Sequence, residues 1–316
     1  MNMQLTSKQM ILPTAVFFAC AFASVVAADD PSAAKRFLRF VPDADGGRLE
    51  TNITSYRNAD GVLVDLVGAV HIADTSYYEE LDRRFLTYDA LLYELIAPEG
   101  ARPRPNQSGG SLIGMFQRLL KNVLGLNFQL DAIDYTRKNF VHADMDPETF
   151  SRYQQERGET LLMMMFKVWL ESMKRELRGE GTGPTPEQMM RAFSGNDLSR
   201  GLKLLFAQEL QNMELMLAGI EPDGKDSVIV GERNKVAMRV LERELKNKPQ
   251  RVGIFYGAAH MVDMEARLIA LGFEKTGEEW LSAWTIAPIA PSTPPPAPAE
   301  PKSPTPPSPP PREEDV

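Results

Sequence analysis

Two apolar, strand-like runs in this chain end in the same way. Val64-Asp-Leu-Val-Gly-Ala-Val-His71 and Arg251-Val-Gly-Ile-Phe-Tyr-Gly-Ala-Ala-His260 both run into Gly-Ala-x-His, and both continue to an aspartate three residues on, Asp74 and Asp263. The glycine lets the backbone turn tightly and leaves open space in front of the ring. In open α/β sheets, ligands collect outside the carboxyl ends of the strands. Taken singly, His71 or His260 reads as a capping or packed residue. The duplication uses two of only three histidines and points to one site assembled from distant parts of one domain.

The segments around these endings alternate strand and helix. Arg48 to Tyr56 alternates as a strand, Asn58-Ala-Asp-Gly61 supplies a turn, and Val62 to Val67 follows, which together make a hairpin signature. Beyond His71, Asp74 or Ser76 can cap a helix, with Ser76 and Glu79 spaced as a capping box ahead of Tyr78, Leu81 and Phe85. Ala90 to Ile96 is a short apolar run of the kind covered on both faces. Strand, helix and strand then form a parallel βαβ unit.

Gly100 to Ser111 reads as a loop. From there to about Leu217 the periodicity is helical, over Leu112 to Leu124, Pro147 to Arg178, Pro186 to Phe193 and Leu198 to Leu217; only Asn139 to Ala143 is strand-like. The core resumes with a strand at Ser227 to Val230, a helix from Glu232 to Lys246 and the strand Val252 to Tyr256. A helix from Met264 to Leu271 and a strand from Trp280 to Ile286 complete it. The expected fold class is α/β, a mixed, largely parallel sheet core with a mainly helical insertion at about 101–220.

Residues 1–28 carry Lys8, an apolar run from Met10 to Ala27 and small residues before Asp29, the pattern of a secretory signal peptide. The rival is an uncleaved N-terminal anchor, because the run is at the short end of what spans a bilayer. The expectation is an exported chain, periplasmic or extracellular, with no membrane span in the mature protein. Cys20, the only cysteine, lies in that segment, so the mature chain has no thiol nucleophile, thiolate metal site or disulfide. A formal net charge of −8 without a basic field argues against a nucleic-acid partner. Thirteen of the 24 prolines fall in 288–316, so 287–316 is expected to be a disordered Pro-rich tail, leaving 35–286 as the folded domain.

Glu94 sits within Leu91-Leu-Tyr-Glu-Leu-Ile96, and a carboxylate in a central strand is costly unless paired or bound to a cation. Two imidazoles and one carboxylate on strand ends, His71, Glu94 and His260, make a divalent-metal set with an open position for a water acidified toward a pKa of ~7. Without a metal, the same residues could act as general bases. Arg233, in Gly231-Glu-Arg-Asn234 at a helix start, can hold an anionic substrate group or an oxyanion, or make an ion pair.

His142 and Asp144, in Phe140-Val-His-Ala-Asp144, are candidate outer partners of such ligands, with a satisfied, partly buried histidine the plainer reading of His142. Asp74 and Asp263 are read as helix N-caps that orient the loops. Nine of the 16 methionines lie between Met145 and Met216, which suits helix packing or an adaptable apolar groove. The sequence has no Gly-x-Ser-x-Gly elbow and no phosphate-binding glycine loop.

On Gly68-Ala-Val-His71, Tyr93-Glu94, Val141-His-Ala-Asp144, Gly231-Glu-Arg-Asn234 and Gly257-Ala-Ala-His260, in that order within Leu49 to Ile286, the chain resembles the TraB/PrgY/GumN family, related to the Tiki proteins. The resemblance implies an α/β core with a helical insertion, shared with erythromycin-esterase-like and ChaN-like haem-binding proteins. In Tiki relatives it implies a metal-dependent protease whose site maps here onto His71, Glu94 and His260. Bacterial relatives are linked to shutting off peptide pheromones, but this chain looks exported and lacks the spans of some relatives, so the substrate does not carry over. The expected function is an exported metal-dependent hydrolase, a peptidase acting on peptides or protein termini with one Mn, Co or Zn ion. The alternatives are a non-catalytic peptide or haem binder and a metal-independent, esterase-like hydrolase.

Overall fold

The sheet grows from the hairpin that the Asn58 to Gly61 turn dictates. Gly61 takes a left-handed φ of 84°, Asn58 Oδ1 accepts from the Val62 N–H, and the flanking strands pair antiparallel. The computed structural model describes residues 37–43, 46–103, 124–158, 190, 197–219 and 227–288. The expected signal peptide and nearly all of the Pro-rich tail lie outside the described residues. So do the helices expected at 112–123 and 159–178, nearly all of that at 186–193, and Met163 to Met165.

The elements in chain order are β1 (Leu38–Asp43), β2 (Gly46–Arg57), β3 (Leu63–Ala69), β4 (Ile72–Ala73), α1 (Thr75–Phe85), β5 (Ala90–Tyr93), β6 (Asn127–Phe128) and α2 (Gln129–Ala132). There follow β7 (Phe140–His142), α3 (Pro147–Arg157), α4 (Leu198–Gly219), α5 (Arg233–Leu245), β8 (Arg251–Gly257), α6 (Met261–Ala270) and β9 (Glu274–Ile286). Seven strands form one mixed sheet, the expected α/β class, and β4 and β6 pair separately. Strands β3, β8, β5 and β7 lie side by side and parallel, while β1, β2 and β9 are antiparallel.

Strands β3 and β5 are consecutive in the parallel unit, yet β8 is hydrogen-bonded between them. Their apolar runs are covered on both faces, as parallel strands require. Helix α1 lies on one face, where Phe85 packs against Phe255 and Phe140 and Tyr77 bonds Thr51. Helix α6 lies on the other, where the Tyr56 hydroxyl donates to Glu265 at 2.6 Å. Among the described residues, no helix is long and apolar enough to cross a membrane.

Several local expectations are corrected. Ser227 to Val230 is not a strand. Val228–Glu232 form a π-helical turn, with Ser227 Oγ accepting from the Val230 N–H at 3.1 Å. Val228 and Val230 are buried there, so the β-branched run meets its burial requirement without pairing. Helix α3 stops at Gly158, whose φ of 65° ends it well before Arg178.

Asp74 occupies the N-cap position of α1 but caps nothing: Oδ1 accepts from Lys203 Nζ and Oδ2 from the Thr285 N–H, each at 2.7 Å. Ser76 lies inside α1, so it is not the cap. Phe140–His142 is an edge strand of the main sheet, so the span expected to be a helical insertion also supplies part of the core.

Candidate functional site

The carboxyl ends of β3, β8, β5 and β7 place the expected residues side by side. Strand β3 ends at Ala69, and the next turn is held from outside the strand. Tyr77 and Tyr78 hydroxyls donate to the Gly68 and Val70 carbonyls, and the Gln129 N–H donates to the His71 carbonyl at 2.9 Å. Val70 and Ile72 are buried on either side, which turns His71 out to solvent. Its Nδ1 bonds Gln129 Oε1 at 3.2 Å, and Gln129 in turn bonds the buried Tyr135 hydroxyl at 2.9 Å.

Glu94 follows β5 directly. Its N–H donates to the Phe255 carbonyl at 3.2 Å, so the backbone stays in the ladder while the side chain reaches across the end of β8. Oε2 accepts from the Gly257 N–H at 2.8 Å, and Oε1 from Arg233 Nη2 at 2.6 Å. Gly257 marks the point where these groups meet. A Cβ there would lie 3.4 Å from Glu94 Oε2, 3.8 Å from His260 Cδ2 and 3.9 Å from His71 Nε2. Three residues from three strand ends thus converge on one glycine.

Arg233 opens α5 and is buried. Its Nε and Nη2 grip Asp144 bidentately at 2.9 and 2.6 Å, and Nη2 also serves Glu94. Nη1 keeps only long contacts, 3.4 Å to the Ile229 carbonyl and 3.4 Å to His260 Nε2. Arg233 is therefore chiefly an internal counter-ion, and among the described residues Nη1 makes its longest contacts. Asp144 also accepts from the Met145 N–H, fixing its carboxylate at the end of β7.

His260 ends the single 3-10 turn Ala258–His260 that joins β8 to α6, and it is buried edge-on against the Tyr256 ring. Its Nδ1 bonds Asn234 Oδ1 at 2.7 Å, while Nε2 lies 3.7 Å from Glu94 Oε1. Asp263 is not an N-cap; Oδ2 accepts from Asn234 and Arg267, each at 2.7 Å, and so braces Asn234.

His142 stands apart from the cluster. It pairs with Tyr93 in the β5–β7 register, its ring is 5.7 Å from the Tyr93 ring, and Nε2 bonds the Leu95 carbonyl at 2.6 Å. Strand alternation puts Tyr93 and Glu94 on opposite faces, so His142 faces away from Glu94.

The electrostatics follow from burial and pairing. Burial pushes the Glu94 carboxyl up, but Arg233, both histidines and the Gly257 N–H outweigh it and hold the group well below the usual carboxylate range. Burial also opposes the Arg233 charge, yet Asp144 and Glu94 raise its pKa above the ordinary guanidinium value. For His260, burial wins and pushes the pKa down to about 4, so the ring is neutral at neutral pH.

The donor types and the charge of this cluster are those a divalent ion, the cofactor expected from the sequence, would need, but the spacing in this structure is not. Two imidazole rings and a carboxylate lie around the same glycine, His71 through Nε2, Glu94 through Oε2 and His260 through Cδ2. Glu94 and Asp144 set two negative charges against the single positive charge of Arg233, leaving one buried charge for a cation to balance. Spacing is the counterweight. Among the described residues, no three His, Cys, Asp or Glu side chains stand close enough together to hold an ion.

Sequence reasoning missed Gln129 and assigned no role to Asn234, although it quoted the latter beside Arg233. Nothing in the spacing around Gln129 signals its place. Asn234 could have been suspected from its position in the first turn of a helix that begins at the strand ends. Comparisons of the chain with protein-family models, with curated proteins and with solved structures give no match.

Proposed function

We propose that the chain is an exported metal-dependent hydrolase that cleaves peptide bonds, with His71, Glu94 and His260 as ligands of one Mn, Co or Zn ion. The observation that carries this reading is the convergence of those three side chains on Gly257. The order of motifs resembling the TraB/PrgY/GumN family supports it as well. A divalent ion supplies Lewis acidity, which acidifies water and polarises a carbonyl.

The chain's own residues supply the rest. Solvent-exposed His71 faces the approach to the cluster, so substrate and water arrive from its side. Glu94 stays ionised under the hold of Arg233, and neutral His260 offers a lone pair at Nε2. The Nη1 corner of Arg233 can donate to negative charge that develops on a carbonyl oxygen.

The Arg233 contact with His260 favours a second reading, a metal-independent hydrolase. There the guanidinium is the resident cation and His71 takes the proton from water. Metal content and hydrolysis of a peptide library, for wild type and Glu94→Gln, with chelator and after re-adding Mn, Co or Zn, separate the two. About one ion per chain with chelator-sensitive cleavage supports the first reading. Cleavage indifferent to chelator supports the second. No cleavage, with a haem or peptide ligand captured, sinks both and leaves a binding protein.

A further inference from the structure

We propose that Asn234 is a positioning residue that sets the tautomer of His260, holding the proton on Nδ1 so that a bare Nε2 faces Glu94. The inference rests on the reading of His260 as a site residue and adds the device that makes its inward nitrogen a lone-pair donor.

Two independent flanks specify this state. On the outer side, Asn234 Nδ2 lies 3.0 Å from the His260 carbonyl and 2.7 Å from Asp263 Oδ2. Both are acceptors only, so the amide cannot be turned round without facing oxygen against oxygen. Its Oδ1 is thereby committed to His260 Nδ1, at 2.7 Å, and an amide oxygen can only accept. The proton must sit on Nδ1. On the inner side, Arg233 Nη1 approaches Nε2 at 3.4 Å, and a guanidinium can only donate. A proton on Nε2 would set donor against donor there, and Glu94 Oε1, the acceptor on that side, is 3.7 Å away and beyond hydrogen-bond reach.

The brace reaches further out. Asp263 is itself held by Arg267 at 2.7 Å, one turn along α6, so the amide orientation is fixed from the helix that His260 leads into. His71 is a natural internal reference. Among the described residues, the side-chain amide of its partner Gln129 bonds the Tyr135 hydroxyl, which can donate or accept, so that contact carries no such specification.

The test is long-range proton–nitrogen correlation NMR on the full chain with labelled histidine. It is run at a pH of about 8.5, two units above the ordinary imidazole pKa. Only three histidines must be assigned, by His71→Gln and His142→Gln. In the wild type, His260 should show a protonated Nδ1 and a bare Nε2. Asn234→Leu should move its tautomer ratio toward Nε2–H by roughly fivefold or more, the worth of one net hydrogen bond. Asn234→Asp keeps the acceptor on the Nδ1 side, at the cost of an oxygen facing Asp263 Oδ2 and the His260 carbonyl, and should retain the Nδ1–H form; His71 should not change in either variant.

An Nε2–H form of His260 in the wild type overturns the proposal, as does an unchanged His260 pattern in Asn234→Leu. If that variant does not fold, the wild-type and Asn234→Asp spectra decide, and an Nε2–H signal in either is fatal. Hydrolysis and metal uptake on the same samples are separate readouts. The Nδ1–H form without turnover defeats only the hydrolase reading, and turnover with an Nε2–H form defeats only this one.

Discussion

Arg233 Nη2 donates to Glu94 Oε1 at 2.6 Å across 139 residues of sequence, and the same nitrogen holds Asp144 Oδ2 at 2.6 Å. One guanidinium therefore joins the end of β5, the end of β7 and the start of α5. All three side chains are nearly closed to solvent, so this is a buried ion network in which each member depends on the others.

Removing the cation should be costly. Arg233→Met leaves Glu94 and Asp144 buried without a counter-charge, and unfolding free energy should fall by about 3–5 kcal/mol. Arg233→Lys should recover little, because an ammonium cannot reproduce the bidentate grip on Asp144. Chemical denaturation of the three proteins checks this; equal stability of wild type and Arg233→Met would refute the network.

Glu94→Gln keeps the shape and an acceptor for the Gly257 N–H but removes the charge. Hydrolysis should drop on the order of 100-fold or more while the fold persists. Peptide turnover beside a far-UV circular dichroism spectrum measures both. A variant as active as wild type would remove Glu94 from the site.

Gly257→Ala is the sharpest steric probe. The new methyl would meet Glu94, His260 and His71 at ordinary contact distances, and the backbone there does not need a positive φ. Stability should change by no more than about 1 kcal/mol, while ion uptake and hydrolysis fall because the methyl fills the point of convergence. Full activity in this variant would place the working centre elsewhere.

Acid should destabilise the chain through His260. With its folded pKa pushed down from 6.5 to about 4, the unfolded state binds more protons over that interval. Stability contributed by the neutral ring is thus present above about pH 6.5 and is lost as pH falls toward about 4. Melting temperatures in chelator over that range should decline with falling pH, and less steeply in His260→Gln. An identical slope in the variant would show that His260 is not the titrating group.

Much of the candidate cluster was legible because the residues concerned are local features of strand ends. The repeated Gly-Ala-x-His marks where β3 and β8 stop, and burial of a carboxylate after an apolar run singles out Glu94. Period-two and helical spacing likewise located the β2–β3 hairpin, α1, α4, α5 and β8. The same patterns misled at Ser227 to Val230, since a β-branched run reads alike whether it is buried by pairing or beneath a helix start.

The sequence alone determined which groups could do chemistry: two histidines after a Gly-Ala pair, one glutamate within an apolar strand-like run, one arginine at a helix start and no thiol outside the leader-like segment. Tertiary structure decided what those groups do to one another. Insertion of β8 between β3 and β5 brings His71, Glu94 and His260 to one glycine, and the spacing along the chain does not encode that strand order. It also turned Arg233 from a candidate anion binder into the partner of Asp144 and Glu94, and gave each site imidazole an amide on its outer nitrogen. The physical reason is that hydrogen bonds and ion pairs act over a few ångströms of space, and only the closed sheet makes residues far apart in the sequence neighbours.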